Sequence, residues 1–125
     1  MLKFLSRKNI FSVRKCNRAR CKTCSIIIIK KEKIKINNNW IYFNSDMTCT
    51  SQNLVYVLFC NICKKFYVGE TNISLCKRIT LHRQHINHPV YSIQPVSFHL
   101  RTCGSSYSII PIFQVENNSS FILLK

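Results

Sequence analysis

The second half of the chain breaks into short apolar runs punctuated by turn residues. The run Leu54-Val-Tyr-Val-Leu-Phe59 has strand length and is rich in β-branched and aromatic side chains, so it predicts a strand. Residues 60–65 form a compact link to a second short strand, Phe66-Tyr67-Val68, which Gly69 ends. A link of six residues suits antiparallel neighbours better than a crossover. The apolar period then changes. Leu75, Ile79 and Ile86 give a helix its apolar side, and Lys77, Arg78, His82 and Arg83 are its polar groups. Asn72 or Ser74 can cap it, because a short side-chain oxygen accepts from an orphan backbone N–H. Pro89 ends it. Residues 95–101 predict a second short helix with Pro95 in its first turn. Residues 108–115 alternate weakly and predict a third strand, and Pro111, which has no N–H to donate, points to an edge position.

The first half reads differently. Residues 1–24 are basic and carry cysteines. Residues 25–47 place Ile26, Ile27, Ile28, Ile29, Ile34 and Ile36 around the charged run Lys30, Lys31, Glu32, Lys33 and Lys35. The β-branched content suggests strands, with a turn at Asn37, Asn38 and Asn39 before the short run 40–43. The same stretch also reads as a linker that orders on binding. The expected organisation is a basic, cysteine-bearing and partly disordered lead-in over residues 1–47, followed by a small α+β unit over 48–125. That unit is expected to hold a three-stranded antiparallel or mixed sheet with flanking helices and zinc-knuckle elaborations.

Composition narrows the partner. A chain of 125 residues has room for one core. Nineteen Lys and Arg stand against four acids, for a formal charge of +15. Such a surplus favours a polyanion, since each neutralised phosphate releases condensed counterions. Nucleic acid fits, and ribosomal RNA or an anionic membrane surface would satisfy the same surplus. The longest apolar run, residues 26–29, is far too short for a transmembrane segment. No secretory signal is visible, because Lys3, Arg7 and Lys8 interrupt the apolar residues of the N-terminus. The expected compartment is therefore reducing, nucleus or cytoplasm. The acid-free stretch 1–31 also allows a mitochondrial transit peptide.

Eight cysteines in a reducing compartment favour metal ligation over disulfides. Cys60-Asn-Ile-Cys63 is a C-x2-C knuckle between two strands, and His99 with Cys103 offers a second half-site. A structural zinc ion there would tie the hairpin to the second short helix, with His85 or His88 as substitutes for His99. Cys16, Cys21 and Cys24 form another cluster, with Cys49 as the fourth ligand for a second zinc. Cys76 is left over as a small helix residue facing the core.

Tyr56 and Tyr67 are eleven residues apart on the two strands of the expected hairpin, Arg78 follows eleven later, and His82 lies four beyond it on the same helix face. Taken singly, the tyrosines read as half-buried strand aromatics and Arg78 as a solvated charge. Taken together, two phenols, a guanidinium and an imidazole can meet near one end of a small sheet.

That joint pattern, over residues 54–86, resembles the core of the GIY-YIG nuclease superfamily. Val55-Tyr56-Val57 stands where its first motif would be, Tyr67-Val68-Gly69 stands for the second, and Arg78 and His82 match the helix positions that follow. Val55 replaces the family's Gly, and Val57 and Val68 replace its Ile. The cysteines between the tyrosine motifs, the run YVGET at 67–71, and CNRARCKTC at 16–24 resemble the endonuclease domain of Penelope-like retroelements. The resemblance implies metal-assisted hydrolysis of phosphodiesters in DNA, with Mg²⁺ or Mn²⁺ polarising the phosphate. It implies Tyr56 as proton acceptor, Arg78 as stabiliser of charge on the transferring phosphoryl group, and Tyr67 and His82 orienting water or leaving group. It also implies a reverse transcriptase in a longer parent protein. The family's acidic cation ligand follows the arginine by several tens of residues, where Glu116 is the one acid present; Asp46 and Glu70 lie elsewhere. A C-terminally truncated copy with an incomplete cation site is therefore expected. A catalytically silent zinc-binding module for nucleic acid is the alternative.

Overall fold

The computed structural model describes residues 10–87, 99–100, 103–104 and 106–115. Its centre is β5 (Leu54–Cys60), flanked by β6 (Phe66–Thr71) and β7 (Tyr107–Gln114) in a three-stranded antiparallel sheet of order β6-β5-β7. Because β5 has a neighbour on each side and cover over its faces, Leu54, Tyr56, Val57, Leu58 and Cys60 are all buried, which explains a continuous apolar run in place of alternation. β6 has one neighbour and leaves Phe66 and Val68 exposed.

The expected hairpin forms. Cys60 and Lys65 close the link through Cys60 N–H to Lys65 O at 2.8 Å, and Lys64 takes the positive φ of 71° the turn requires. One expectation is corrected: Gly69 does not end the second strand. β6 runs on to Thr71, and Gly69 pairs with Tyr56 inside it. β7 matches the predicted third strand, and buried Pro111 lies beside a register shift between Val55 and Tyr56. A missing N–H is tolerated at such an irregularity and at a sheet edge. Beyond β7, among the described residues, the segment at Ile27 adds a parallel bridge to Ile109, with bonds of 2.9 and 3.0 Å.

Residues 10–47 fold as strands. β1 (Ser12–Val13) pairs with β2 (Lys30–Lys31), and β3 (Lys33–Ile36) pairs with β4 (Asn39–Tyr42). Asn37 and Asn38 join β3 to β4 with φ of 52° and 68°. Two left-handed residues make the turn that matches strand twist, and Asn tolerates that region better than most residues. Val13, Ile27, Ile34, Ile36, Phe43 and Met47 enter one hydrophobic cluster with Leu54, Val57, Leu75, Ile79 and Ile110. The core thus runs straight across the division expected at residue 47.

Helix α1 (Leu75–Asn87) begins at Ser74, whose Oγ accepts from Lys77 N–H at 3.3 Å. Its first amides donate outward, Leu75 to Ser51 O at 3.1 Å and Cys76 to Cys49 O at 2.7 Å. Leu75, Ile79 and His82 follow each other at helical spacing along its buried side. The second predicted helix is described only at His99 and Leu100, which are helical.

Candidate functional site

The register of the hairpin decides which side chains meet. Tyr56 faces Gly69 across the strands, while Tyr67 faces Leu58. Tyr56 lays its ring over Gly69: a Cβ built there would lie 2.6 Å from Cζ and 2.7 Å from the phenol oxygen of Tyr56. The missing side chain is what allows the phenol to cross β6 and reach α1. There Tyr56 Oη sits 2.9 Å from His82 Nε2, and Arg78 Nε donates to the same oxygen at 3.3 Å. Arg78 and His82 are one helical turn apart, so one face of α1 supplies both partners. Tyr56 is 3% exposed and His82 8%.

A cleft of about 170 Å³ opens onto this trio, lined by Tyr56, Leu58, Tyr67, Val68, Gly69, Arg78 and His82. Its one charged group is the cationic Arg78, and no carboxylate lines it among the described residues. Arg78 has five N–H donors and no acceptor, so the bond to Tyr56 leaves others for an anion. Tyr67 shares the cleft but stands apart from the hydrogen-bonded trio, its ring packing on His99 at 5.8 Å between centroids. Among the acids, Asp46 is engaged with Arg14 at 3.3 Å and with Ser12 N–H at 2.9 Å, and Glu70 is exposed opposite Val55 on β6. Glu116 lies outside the described residues, as do the side chains of His85 and His88.

Two clusters of metal-ligating atoms can each hold a zinc ion, and they are the two expected quartets. In each, Cys16, Cys21, Cys24 and Cys49 or Cys60, Cys63, His99 and Cys103, all ligand atoms lie within 4.8 Å of one another. The separations test the fit. Four zinc–sulfur bonds of about 2.3 Å in a tetrahedron set sulfur–sulfur edges of roughly 3.8 Å. Cys16–Cys24, Cys21–Cys49, Cys24–Cys49 and Cys60–Cys103 stand at 3.5, 3.6, 3.7 and 3.7 Å. Cys63 Sγ to His99 Nε2 is 3.1 Å, somewhat under the roughly 3.6 Å of a sulfur–nitrogen edge. These sulfurs are far beyond disulfide length, which is about 2.05 Å. A bound zinc would cross-link segments distant in sequence and contribute folding free energy directly.

The surroundings of both quartets favour anionic sulfur at chosen positions. The Cys63 amide, with help from the Ile62 amide, His99 and Cys103 and against burial, draws the Cys60 thiol down to about 6. Its neighbour Cys103 is pushed up to about 11, chiefly by the adjacent Cys60 sulfur and then by burial. In the other quartet Arg18, through side chain and amide, draws Cys16 down to about 6. The Arg18 guanidinium also donates to Cys49 Sγ at 3.4 Å, while burial pushes the Cys24 and Cys49 thiols upward. Cys76 packs partly buried against the core.

The two quartets are wired to the cleft. Cys49 O holds the first turn of α1, the helix that presents Arg78 and His82. His99 of the second quartet carries the ring of Tyr67. Asn61 in the knuckle bonds Ser106, just before β7, and Ser108 within it. Sequence reasoning gave no contact role to two residues of the candidate sites. Gly69 read as a strand end, although a glycine two residues after Tyr67 in a hairpin hints at a close approach. Arg18 was not singled out, although its place between Cys16 and Cys21 puts it among sulfurs.

Among the described residues no helix is long and apolar enough to cross a membrane. Comparisons with known protein families, with curated proteins and with solved structures find no match.

Proposed function

We propose that this chain is a GIY-YIG-type endonuclease module of retroelement origin that hydrolyses phosphodiester bonds in DNA and is held together by two structural zinc sites. The observation that carries the reading is the hydrogen-bonded trio of Tyr56, His82 and Arg78 over Gly69. As an attacking water bonds to phosphorus, its proton passes to Tyr56 Oη while the phenol proton passes to His82 Nε2. This balances when the imidazole carries its own proton on Nδ1. Arg78 offers its remaining N–H groups to a non-bridging oxygen, where charge develops. The protonated imidazole then returns a proton through the phenol to the departing oxygen or to solvent. Tyr67, which also lines the cleft, orients the water or the leaving group. No described carboxylate in the cleft fits a divalent cation, so no step is routed through one.

The same lack of a carboxylate favours a second reading, a zinc-bearing module that binds nucleic acid without turning it over. Plasmid nicking in Mg²⁺ or Mn²⁺ separates the two. Weak but measurable nicking is expected, reduced about 100-fold or more by Tyr56→Phe and by Arg78→Ala. Loss with Glu116→Gln would make that residue the cation ligand. Nicking that survives both Tyr56→Phe and Arg78→Ala would refute the site, and tight binding with no nicking would select the second reading.

A further inference from the structure

The two faces of the β3–β4 hairpin differ in what they present. Ile34 and Ile36 turn into the core, with Ile41 packed partly buried against it. Lys33, Lys35, Trp40 and Tyr42 alternate with them and turn outward. Lys33 pairs with Tyr42 across the strands and Lys35 with Trp40, which makes a two-by-two patch of cations and aromatic rings. Trp40 is 52% exposed and Tyr42 50%. Lys33 Nζ lies 4.7 Å from the centre of the Trp40 ring and 5.3 Å from that of Tyr42, so one ammonium serves both rings. Lys35 Nζ stands 5.8 Å from the Trp40 ring. Exposed Lys30 and Lys31 extend the positive charge along the preceding strand.

The inward isoleucines fix the hairpin, and the Asn37–Asn38 turn fixes its register. Two large aromatics nevertheless face solvent on a rigid support, ringed by ammonium groups. That combination suits a ligand with flat π-faces and a polyanionic backbone. We propose that the outer face of the β3–β4 hairpin binds unpaired nucleobases of single-stranded nucleic acid, with Trp40 and Tyr42 stacking on bases and Lys33 and Lys35 contacting phosphates.

Alternate residues on a strand are spaced by roughly 6.8 Å, about two base steps of 3.4 Å, so a base can lie between the two rings. It displaces the Lys33 ammonium from both rings and from Tyr42 Oη, and the exchange is favourable because the base stacks on both rings while phosphate compensates the ammonium. The released ammonium keeps a counter-charge in the adjoining phosphate. A duplex hides its base faces and engages only the lysines. The inference shares the polyanionic partner with the proposed function, but its site, its ligand and its test are separate from the cleft.

Trp40 is the one tryptophan of the chain, so its emission reports this face alone. The zinc-loaded protein is titrated with an oligothymidylate of about 12 nucleotides, with a duplex of the same length, and with inorganic polyphosphate. Saturable quenching by the single strand is expected, with little change of emission from duplex or polyphosphate. Trp40→Ala should weaken single-strand binding about tenfold and leave duplex binding unchanged, while Trp40→Phe should retain most of the affinity. Single-strand binding that leaves emission and the Trp40→Ala affinity unchanged overturns the inference and spares the proposed function. Equal quenching by polyphosphate overturns it too, since charge would then suffice. Failure of every nucleic acid to bind overturns both. If Trp40→Ala does not fold, the wild-type comparison of the three ligands decides alone.

Discussion

Gly69 shows how one missing methyl group can hold a site together. An alanine there would drive its Cβ to 2.6 Å from the Tyr56 ring, so the phenol must swing off β6 and away from His82. Gly69→Ala is expected to cost about 1–3 kcal/mol in denaturant unfolding. The penalty should shrink strongly in a Tyr56→Ala background, because the three atoms nearest the added Cβ all belong to that side chain, and a double-mutant cycle isolates it. Tyr56→Phe keeps the ring and removes the shared oxygen. It should cost about 1 kcal/mol, near the lower end for a lost buried partner, since half-buried Arg78 can turn to water. The sulfur ligands carry a pH dependence. Cys60, drawn down to about 6, is largely thiolate at neutral pH, whereas Cys103, pushed up to about 11, keeps its proton until metal displaces it. Zinc binding at neutral pH therefore releases a proton, and affinity should fall as pH falls. The fall should steepen below about 6, where Cys60 also protonates. Competition against a chelating indicator across pH measures this, and a flat profile would contradict the ligand assignment.

At the scale of elements, local signals and packing agree for β5, the β5–β6 hairpin, α1 and β7. The strand run, the six-residue link, Ser74 and the helical spacing of Leu75 and Ile79 were all readable because each depends on near neighbours in sequence. The buried side of α1 also contains His82, which the sequence pattern counted among the polar groups of the helix. The departure marks the site: a buried imidazole needs a partner, and Tyr56 supplies it. The lysine-rich β3–β4 hairpin was ambiguous from sequence, since its strands could equally have been an unanchored linker. Packing of Ile34, Ile36 and Phe43 against the central sheet resolves it. Ile34→Ala and Ile79→Ala should each destabilise by about 2–5 kcal/mol. Because both residues belong to one cluster, each variant should unfold in a single transition by circular dichroism. A separate early transition in Ile34→Ala would show the hairpin to be an independent unit.

For the molecule as a whole, a small sheet and one described long helix leave little core to spare, and two zinc ions would compensate. Elemental analysis should find two zinc equivalents, falling to one in Cys60→Ser and in Cys49→Ser and staying at two in Cys76→Ser. A chelator should lower the melting temperature; an unchanged cooperative melt would remove the structural role. On the proposed reading, the surplus of +15 should make duplex binding steeply salt-dependent, with a slope of about −0.9 per phosphate contacted. A flat dependence would point away from nucleic acid. Sequence alone determined the short strands of the second half, the helix and its two candidate caps, the basic charge and the cysteines of both ligand quartets. Those follow from periodicity, turn chemistry and ligand spacing, which are local. Tertiary structure alone decided that residues 10–47 share the core, that His99 joins Cys60, Cys63 and Cys103, and that Tyr56 meets Arg78 and His82 while Tyr67 packs on His99. Each of those outcomes hangs on strand register. Shifting a pairing by one residue turns every side chain to the opposite face, and register is set by the partner strand and the core beneath it rather than by the residues' own neighbours.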